Sequence, residues 1–297
     1  MILRKSRHYI LISFFLCALA SSCEKFTGDQ NVPAYISIDS ISLKTEYYKQ
    51  GTASHLITDA WVYVDDDFLG AYELPARFPV LKSGKHTVKI LPGIKKNGIA
   101  ATRNNYEYYS PVQKVVNLSQ DSTSKITAST TYQTTTSFVW MEDFEDVSIT
   151  LDTTSRSDVG IKLTPDGSPL RFEGNHSGMV MLDSIHDFFE CQTHYEYIIP
   201  YAPVYLELNF NTSNSLTIGV VTYGYTTLYQ TPIITLNSTN GVWKKIYIDL
   251  TNTLNAYSGM LKYRVYLGTF KDNGLAQSTI LFDNFKVVTR QSNLKSK

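Results

Sequence analysis

The sequence predicts an all-β protein built as two β-sandwich domains, a small one first and a larger jelly roll second. Strand signals of period two run from residue 33 almost to the end, with hardly any helical periodicity. Aromatic residues make up 13% of the chain, 21 of them tyrosines, against only 18% charged residues. That balance is too apolar for disorder and suits pleated surfaces. A length of 297 residues allows about two domains of roughly 100–200 residues each.

The first 22 residues have the layout of a secretory signal. Arg4, Lys5 and Arg7 form a positive start, Tyr9 to Leu19 is apolar, and Ala20, Ser21 and Ser22 are small. The uncharged run from His8 to Cys23 falls short of the roughly 20 residues a spanning helix needs. Leu19-Ala20-Ser21-Ser22-Cys23 resembles the lipobox of bacterial lipoproteins, with Leu19 one place earlier than usual. The resemblance implies cleavage before Cys23, acylation of its sulfur and amino group, and the lipid bilayer as a partner. Two or more acyl chains anchor stably, whereas one is marginal. The expected address is the cell envelope, the outer membrane before the inner.

Removing Arg4, Lys5 and Arg7 from the 27 basic residues leaves 24 against 27 acidic ones. A general nucleic-acid binder needs a basic surface, so no nucleic-acid partner is expected. Once Cys17 leaves with the signal and Cys23 is lipidated, Cys191 has no intrachain partner. Hydrophobic cores, not disulfides, must then hold the exported chain together. Cys191 reads as a small buried residue.

Residues 23–32 are mostly polar and read as a tether. Residues 33–136 form the first domain. Ala60 to Val64 is a strand, Asp65-Asp66-Asp67 a turn tip, and His86 to Ile90 a cleanly alternating strand. Leu74 to Leu81 carries two prolines and is expected to cross over without regular pairing. The stretch from Val62 to Gly93 resembles PEGA-like modules of surface proteins, which implies a small immunoglobulin-like sandwich serving as a spacer. The Thr/Ser-rich stretch from Ala128 to Ser137 marks the boundary.

Residues 137–290 form the second domain, and 291–297 a polar tail. Phe138 to Glu145 opens it, and Leu281 to Val288 closes it. Val204, Leu206, Leu208 and Phe210 share one strand face, and Ile246 to Leu250 alternates likewise. A Gly-rich turn at Gly174 to Gly178 and a strand headed by Trp243 complete the pattern. This order resembles jelly-roll domains of the galactose-binding-like and carbohydrate-binding-module type. The whole mature chain is similar to Bacteroidetes surface lipoproteins, a likeness that brings no activity with it.

Candidate chemistry is sparse. Asp143 and Glu145 share a face of the first strand, and Asp283 lies near the last. Adjacent first and last strands could let these three hold a structural Ca²⁺, which takes six to eight oxygens. Solvated edge carboxylates are the simpler account. "EDFED" lacks the spacing of the paired carboxylates in concanavalin-like glucanases, and no nucleophile-elbow motif is present, so no enzyme is expected. His55, His86, His176, His186 and His194 are scattered without metal-binding spacing. Sugars stack their C–H faces on aromatic rings, and Tyr223, Tyr225 and Tyr229 cluster in an uncharged stretch, which makes them the candidate ligand-binding residues. Tyrosines filling sheet faces are the alternative. Trp61, Trp140 and Trp243 read as core. The expected function is non-enzymatic carbohydrate binding by a lipid-anchored envelope protein. The alternative is an assembly lipoprotein that docks another envelope protein.

Overall fold

The structure is a computed structural model that describes residues 32–290. The signal, the lipidation site Cys23, tether residues 23–31 and the tail 291–297 lie outside the described residues. Among the described residues no helix is long and apolar enough to cross a membrane. The described residues are all-β apart from two single-turn helices, α1 (Tyr47–Gln50) and α2 (Thr251–Leu254).

The first half contains β1 (Ala34–Ile38), β2 (Ile41–Lys44), β3 (Asp59–Val64), β4 (Asp67–Glu73), β5 (Ala76–Val80), β6 (Gly84–Lys95), β7 (Arg103–Asn105), β8 (Val112–Leu118), β9 (Thr123–Lys125) and β10 (Ala128–Thr131). The long β6 organises it. β3 pairs along one side, while β8 and β7 share the other, and β4 extends the sheet beyond β3. A second sheet runs β5-β1-β9, and β10 pairs with β2 in parallel. Ile36, Ile38, Val62, Val64, Phe78, Val88 and Ile90 fill the space between. They are the inward members of alternating strands, so Trp61 and Tyr63 face outward against Phe68. The Asp tip is a two-residue hairpin loop with Asp65 and Asp66 at φ +52° and +68°, the left-handed pair of a type I′ turn.

Two expectations are corrected here. Residues 76–80 do not cross over unpaired: β5 matches β1 residue by residue, with Pro79 opposite Tyr35. The strand lies at a sheet edge, where a proline's missing N–H costs no ladder bond. Of the three tryptophans only Trp140 is core; Trp61 is half-buried, as is Trp243 beside Phe172.

The second half contains β11 (Thr136–Glu142), β12 (Leu151–Thr153), β13 (Lys162–Leu163), β14 (Gly178–Leu182), β15 (Phe188–Thr193), β16 (Tyr197–Ile198), β17 (Tyr205–Thr212), β18 (Leu216–Tyr223), β19 (Leu228–Leu236), β20 (Lys244–Asp249), β21 (Lys262–Phe270) and β22 (Ser278–Arg290). They form two facing antiparallel sheets. One runs β13-β14-β22-β17-β20, with β11 also on β22. The other runs β12-β15-β21-β18-β19, with β16 also on β21. The core between them gathers Leu206, Leu208, Phe210, Ile218, Val220, Val265, Leu267, Phe282 and Val287. Cys191 is buried there, and burial pushes its thiol pKa up.

Alternation puts Leu206, Leu208 and Phe210 of β17 inside, which leaves Tyr205, Glu207 and Asn209 on the outer face. That face is also buried, because the first half lies on it. Tyr106, Tyr108, Tyr109 and Tyr132 of the first half pack with Tyr205, Tyr247 and Val288 of the second. At the centre Glu207 is 0% exposed. Its carboxylate accepts from the Tyr106 hydroxyl at 2.8 Å and the Tyr132 hydroxyl at 2.9 and 3.0 Å. Lys245 Nζ is 3.7 Å away. Lys286 Nζ donates to the Thr52 carbonyl at 2.6 Å and sits 5.1 Å from the Tyr132 ring centroid. Around this centre Tyr247 accepts the Leu56 N–H at 2.9 Å, Ser54 donates to Asn209 at 2.9 Å, and Lys96 pairs with Asp249 at 3.0 Å. A buried carboxylate without donors would cost several kcal/mol, so the tyrosine hydroxyls are obligatory partners.

Tyr132→Phe removes one donor from a buried charge and keeps the ring. It should cost about 1–3 kcal/mol in chemical denaturation. A change below a few tenths would show that Glu207 does not depend on that hydroxyl.

Candidate functional site

With the outer face of the first sheet covered, the outer face of the second is the open one. Its rows follow from the register. Phe188 of β15 lies opposite Phe270 of β21. Glu190, Gly268, Thr217 and Thr235 form the next row across β15, β21, β18 and β19, followed by Gln192, Tyr266, Gly219 and Pro232. Arg264, Val221 and Gln230 follow, and then Lys262, Tyr223 and Leu228.

Over the first three of these rows lies an open groove of 1060 Å³. Gly268 leaves its floor bare, and Gly219 lies under the Tyr266 ring beside it. At Gly219 a Cβ would fall 2.5 Å from the Tyr266 ring and 2.3 Å from the Thr231 carbonyl, so the ring closes over bare backbone. Tyr266 is thereby 6% exposed and seals the floor. Phe270, 65% exposed, stands at one end with Phe188 against it, ring centroids 4.4 Å apart. Across the groove Arg156 reaches down to Glu190, with Nη2 at 2.5 Å and Nε at 3.2 Å. Gln230 donates to the same carboxylate at 2.8 Å and accepts from Arg156 at 3.2 Å. Burial pushes the Glu190 pKa up, but hydrogen bonds from Arg156, Gln230 and Thr154 outweigh it and hold the carboxyl below its ordinary value. The result is a hydrogen-bonded polar cluster in the same groove as an exposed aromatic ring.

The structure separates the three predicted tyrosines. Tyr223 lies on this outer face, three rows from Gly268, with the Arg264 guanidinium 6.0 Å from its ring centroid. Tyr225 is in the β18–β19 turn, 92% exposed. Tyr229 pairs with Thr222, so it points to the other face, where it stacks on Tyr257 at 4.2 Å. None of the three lines the groove. Sequence reasoning missed Arg156, Glu190, Gln230 and Phe270 because four separate segments supply them. A legible signal was Tyr266-Leu267-Gly268-Thr269-Phe270, which sets two aromatics and a glycine on one strand face.

The predicted calcium ligands surround a cavity of 330 Å³ between the halves, but each carboxylate already has its own donors. Asp143 accepts the Tyr47 hydroxyl at 2.6 Å. Glu145 accepts the N–H groups of Asn175 and His176. Asp283 accepts the Ser177 hydroxyl at 2.5 Å. Their neighbour Glu142 is taken by the Thr150 N–H and hydroxyl, both at 2.6 Å. Among the described residues no three carboxylates, imidazoles or thiols converge as a metal site. These side chains fasten loops to β22 and to the segment that follows β11.

Comparison with known proteins found no matching family model and no matching curated protein. The solved structures it is similar to include β-sandwich carbohydrate-binding modules. A family 22 xylan-binding domain from Paenibacillus barcinonensis is 16% identical over 51% of this chain and 99% of the domain, at TM-score 0.37. A family 61 module in complex with β-1,4-galactotriose is 13% identical over 48% of this chain and 87% of the module, at TM-score 0.30. These scores are too low for a residue-by-residue correspondence.

Two buried groups near the cavity give stability an unusual pH dependence. Burial raises Asp283 from 3.8 to about 7. The folded state then holds a proton the unfolded chain has lost, so this contribution is full below pH 3.8 and gone once the pH has risen through 7. Burial lowers Lys286 from 10.5 to about 7. There the unfolded chain binds more protons, so stability grows as the pH rises from 7 to 10.5. Together the two groups put their least favourable point near neutrality. The melting temperature of the natural protein minus that of Asp283→Asn should fall between about pH 4 and 7 and level off above. A difference that stays flat across that range would contradict the raised pKa.

Proposed function

We propose that this protein is a non-enzymatic, lipid-anchored envelope protein that binds carbohydrate in the groove over β15, β21 and β18. The observation that carries the reading is the presence of exposed Phe270 and the hydrogen-bonded Arg156–Glu190–Gln230 cluster in one groove over Gly268. A pyranose presents an apolar C–H face and a rim of hydroxyls. An aromatic ring takes the first, and fixed amide and guanidinium groups take the second. The open shape suits a chain ligand lying across the strands.

The groove's carboxylates are better suited to holding shape than to acid–base work. Glu190 is saturated by three side chains. Asp272 accepts the Ser215 N–H at 2.7 Å and hydroxyl at 2.6 Å, and Asp158 accepts the Phe188 N–H at 3.0 Å. The first half acts as a spacer that also covers the opposite sheet, so one face is left for ligand. The signal and Cys23 supply the membrane address.

Phe270→Ala should lower affinity for a bound polysaccharide at least tenfold in affinity electrophoresis without lowering the melting temperature appreciably, since the ring is already mostly in water. Unchanged binding would remove the groove from the proposal. Metabolic labelling with an alkyne fatty acid should mark the natural chain and not Cys23→Ala; equal labelling of both, or of neither, would count against the anchor.

A further inference from the structure

We infer that the groove selects uncharged pyranose units and turns away uronates and sulfated sugars, with Gly268 setting the slot. The inference rests on the carbohydrate reading and narrows it to a ligand class.

Gly268 and Gly219 are bare for different reasons. At Gly219 the Tyr266 ring and the Thr231 carbonyl exclude any side chain. At Gly268 the backbone is not left-handed, and an added Cβ would meet only ordinary contacts, with the Phe189 carbonyl at 3.4 Å and the Glu190 side chain at 3.5 Å. Glycine inside a strand weakens it, and often marks a place where a ligand comes close to the backbone. Neither strain nor crowding demands it here. Gly268 sits midway between Tyr266 and Phe270 on one strand face, a span of about 13 Å along the strand. In the same row Glu190 and Thr217 flank it. The bare position is the width of one sugar ring between two aromatics.

The charges around the slot decide which ring. Asp158, Asp187, Glu190 and Asp272 line the groove against Arg156 and Lys271. Arg156 is paired with Glu190 and Gln230, and Lys271 donates to the Leu275 carbonyl at 2.5 Å, so the carboxylates outnumber the cations around the slot. A carboxylate or sulfate on the ligand would face that excess of acidic groups, a repulsion weakened by salt. A neutral ring loses nothing, because hydroxyls need only the amide, guanidinium and threonine groups already in place.

The test is affinity electrophoresis and calorimetry on the full chain in detergent. The neutral probes are β-1,4-xylan, β-1,4-galactan and a mixed-linkage glucan; the anionic probes are polygalacturonate and a sulfated galactan, each at low and high salt. At least one neutral polymer should bind, with every anionic one at least tenfold weaker at low salt. Gly268→Val should weaken the neutral polymer at least tenfold, and Gly268→Ala to a smaller degree, with melting temperatures near that of the natural protein. Should valine unfold the strand, the alanine variant alone decides. Neutral binding untouched by filling Gly268 would overturn the slot, and an anionic polymer binding as tightly would overturn the charge selection. In both cases the carbohydrate reading would stand. Binding of no polymer in either class would overturn that reading and this inference together.

Discussion

One buried carboxylate constrains the rest of the molecule. Glu207 lies mid-strand on the face of β17 that points away from the sandwich core, and it is fully buried. Charge in such a place survives only with donors and a counter-charge. The donors come from Tyr106 and Tyr132, which belong to the other half of the chain. Separating the halves would exchange these hydrogen bonds for water and expose the aromatic seam, so their relative position is set by hydrogen-bond geometry as well as apolar contact. Lys245 and Lys286, both buried near it, make the seam polar at its centre instead of a plain greasy surface.

That seam decides where a ligand has room. A sandwich of this kind has two outer faces. The first half occupies one of them, with Tyr108, Tyr109 and the 52–57 segment lying across β17, β20 and β22. The other face stays open and is shaped by two glycines, a sealed tyrosine and an exposed phenylalanine. The groove's polar groups are prearranged by one another, since Arg156, Glu190 and Gln230 hold each other in place. A ligand there would not have to order them, which lowers the entropic cost of binding.

Strand content, and the inward faces of β6, β17 and β20, were legible because burial on one side of a pleat leaves a period-two mark. The turn at Asp65-Asp66 was legible as a turn, though its type came from the backbone. Misreadings came where a neighbour overrides local pattern. Pro79 looked like a break, yet an edge strand tolerates it. Trp61 and Trp243 looked like core, yet each lies on an outward face against one aromatic neighbour. Tyr223, Tyr225 and Tyr229 looked like a cluster because they are close in sequence; a strand end, a turn and the opposite face divide them. The acidic residues near β11 also fasten chain segments: Asp143 holds Tyr47, while Glu145 and Asp283 both hold the turn at 174–177.

The sequence by itself determined most of the strand content, and it carries three cysteines and a charged, then apolar, then small-residue series at the N-terminus. The strand content follows from local chemistry, the periodicity of the pleat. Only the tertiary structure decided that Glu207 is buried, that one sheet face is covered, and that Arg156, Glu190, Gln230 and Phe270 share a groove. Those facts depend on residues tens to a hundred positions apart being brought together, and a pattern read along one strand carries no information about what will be packed on its far side.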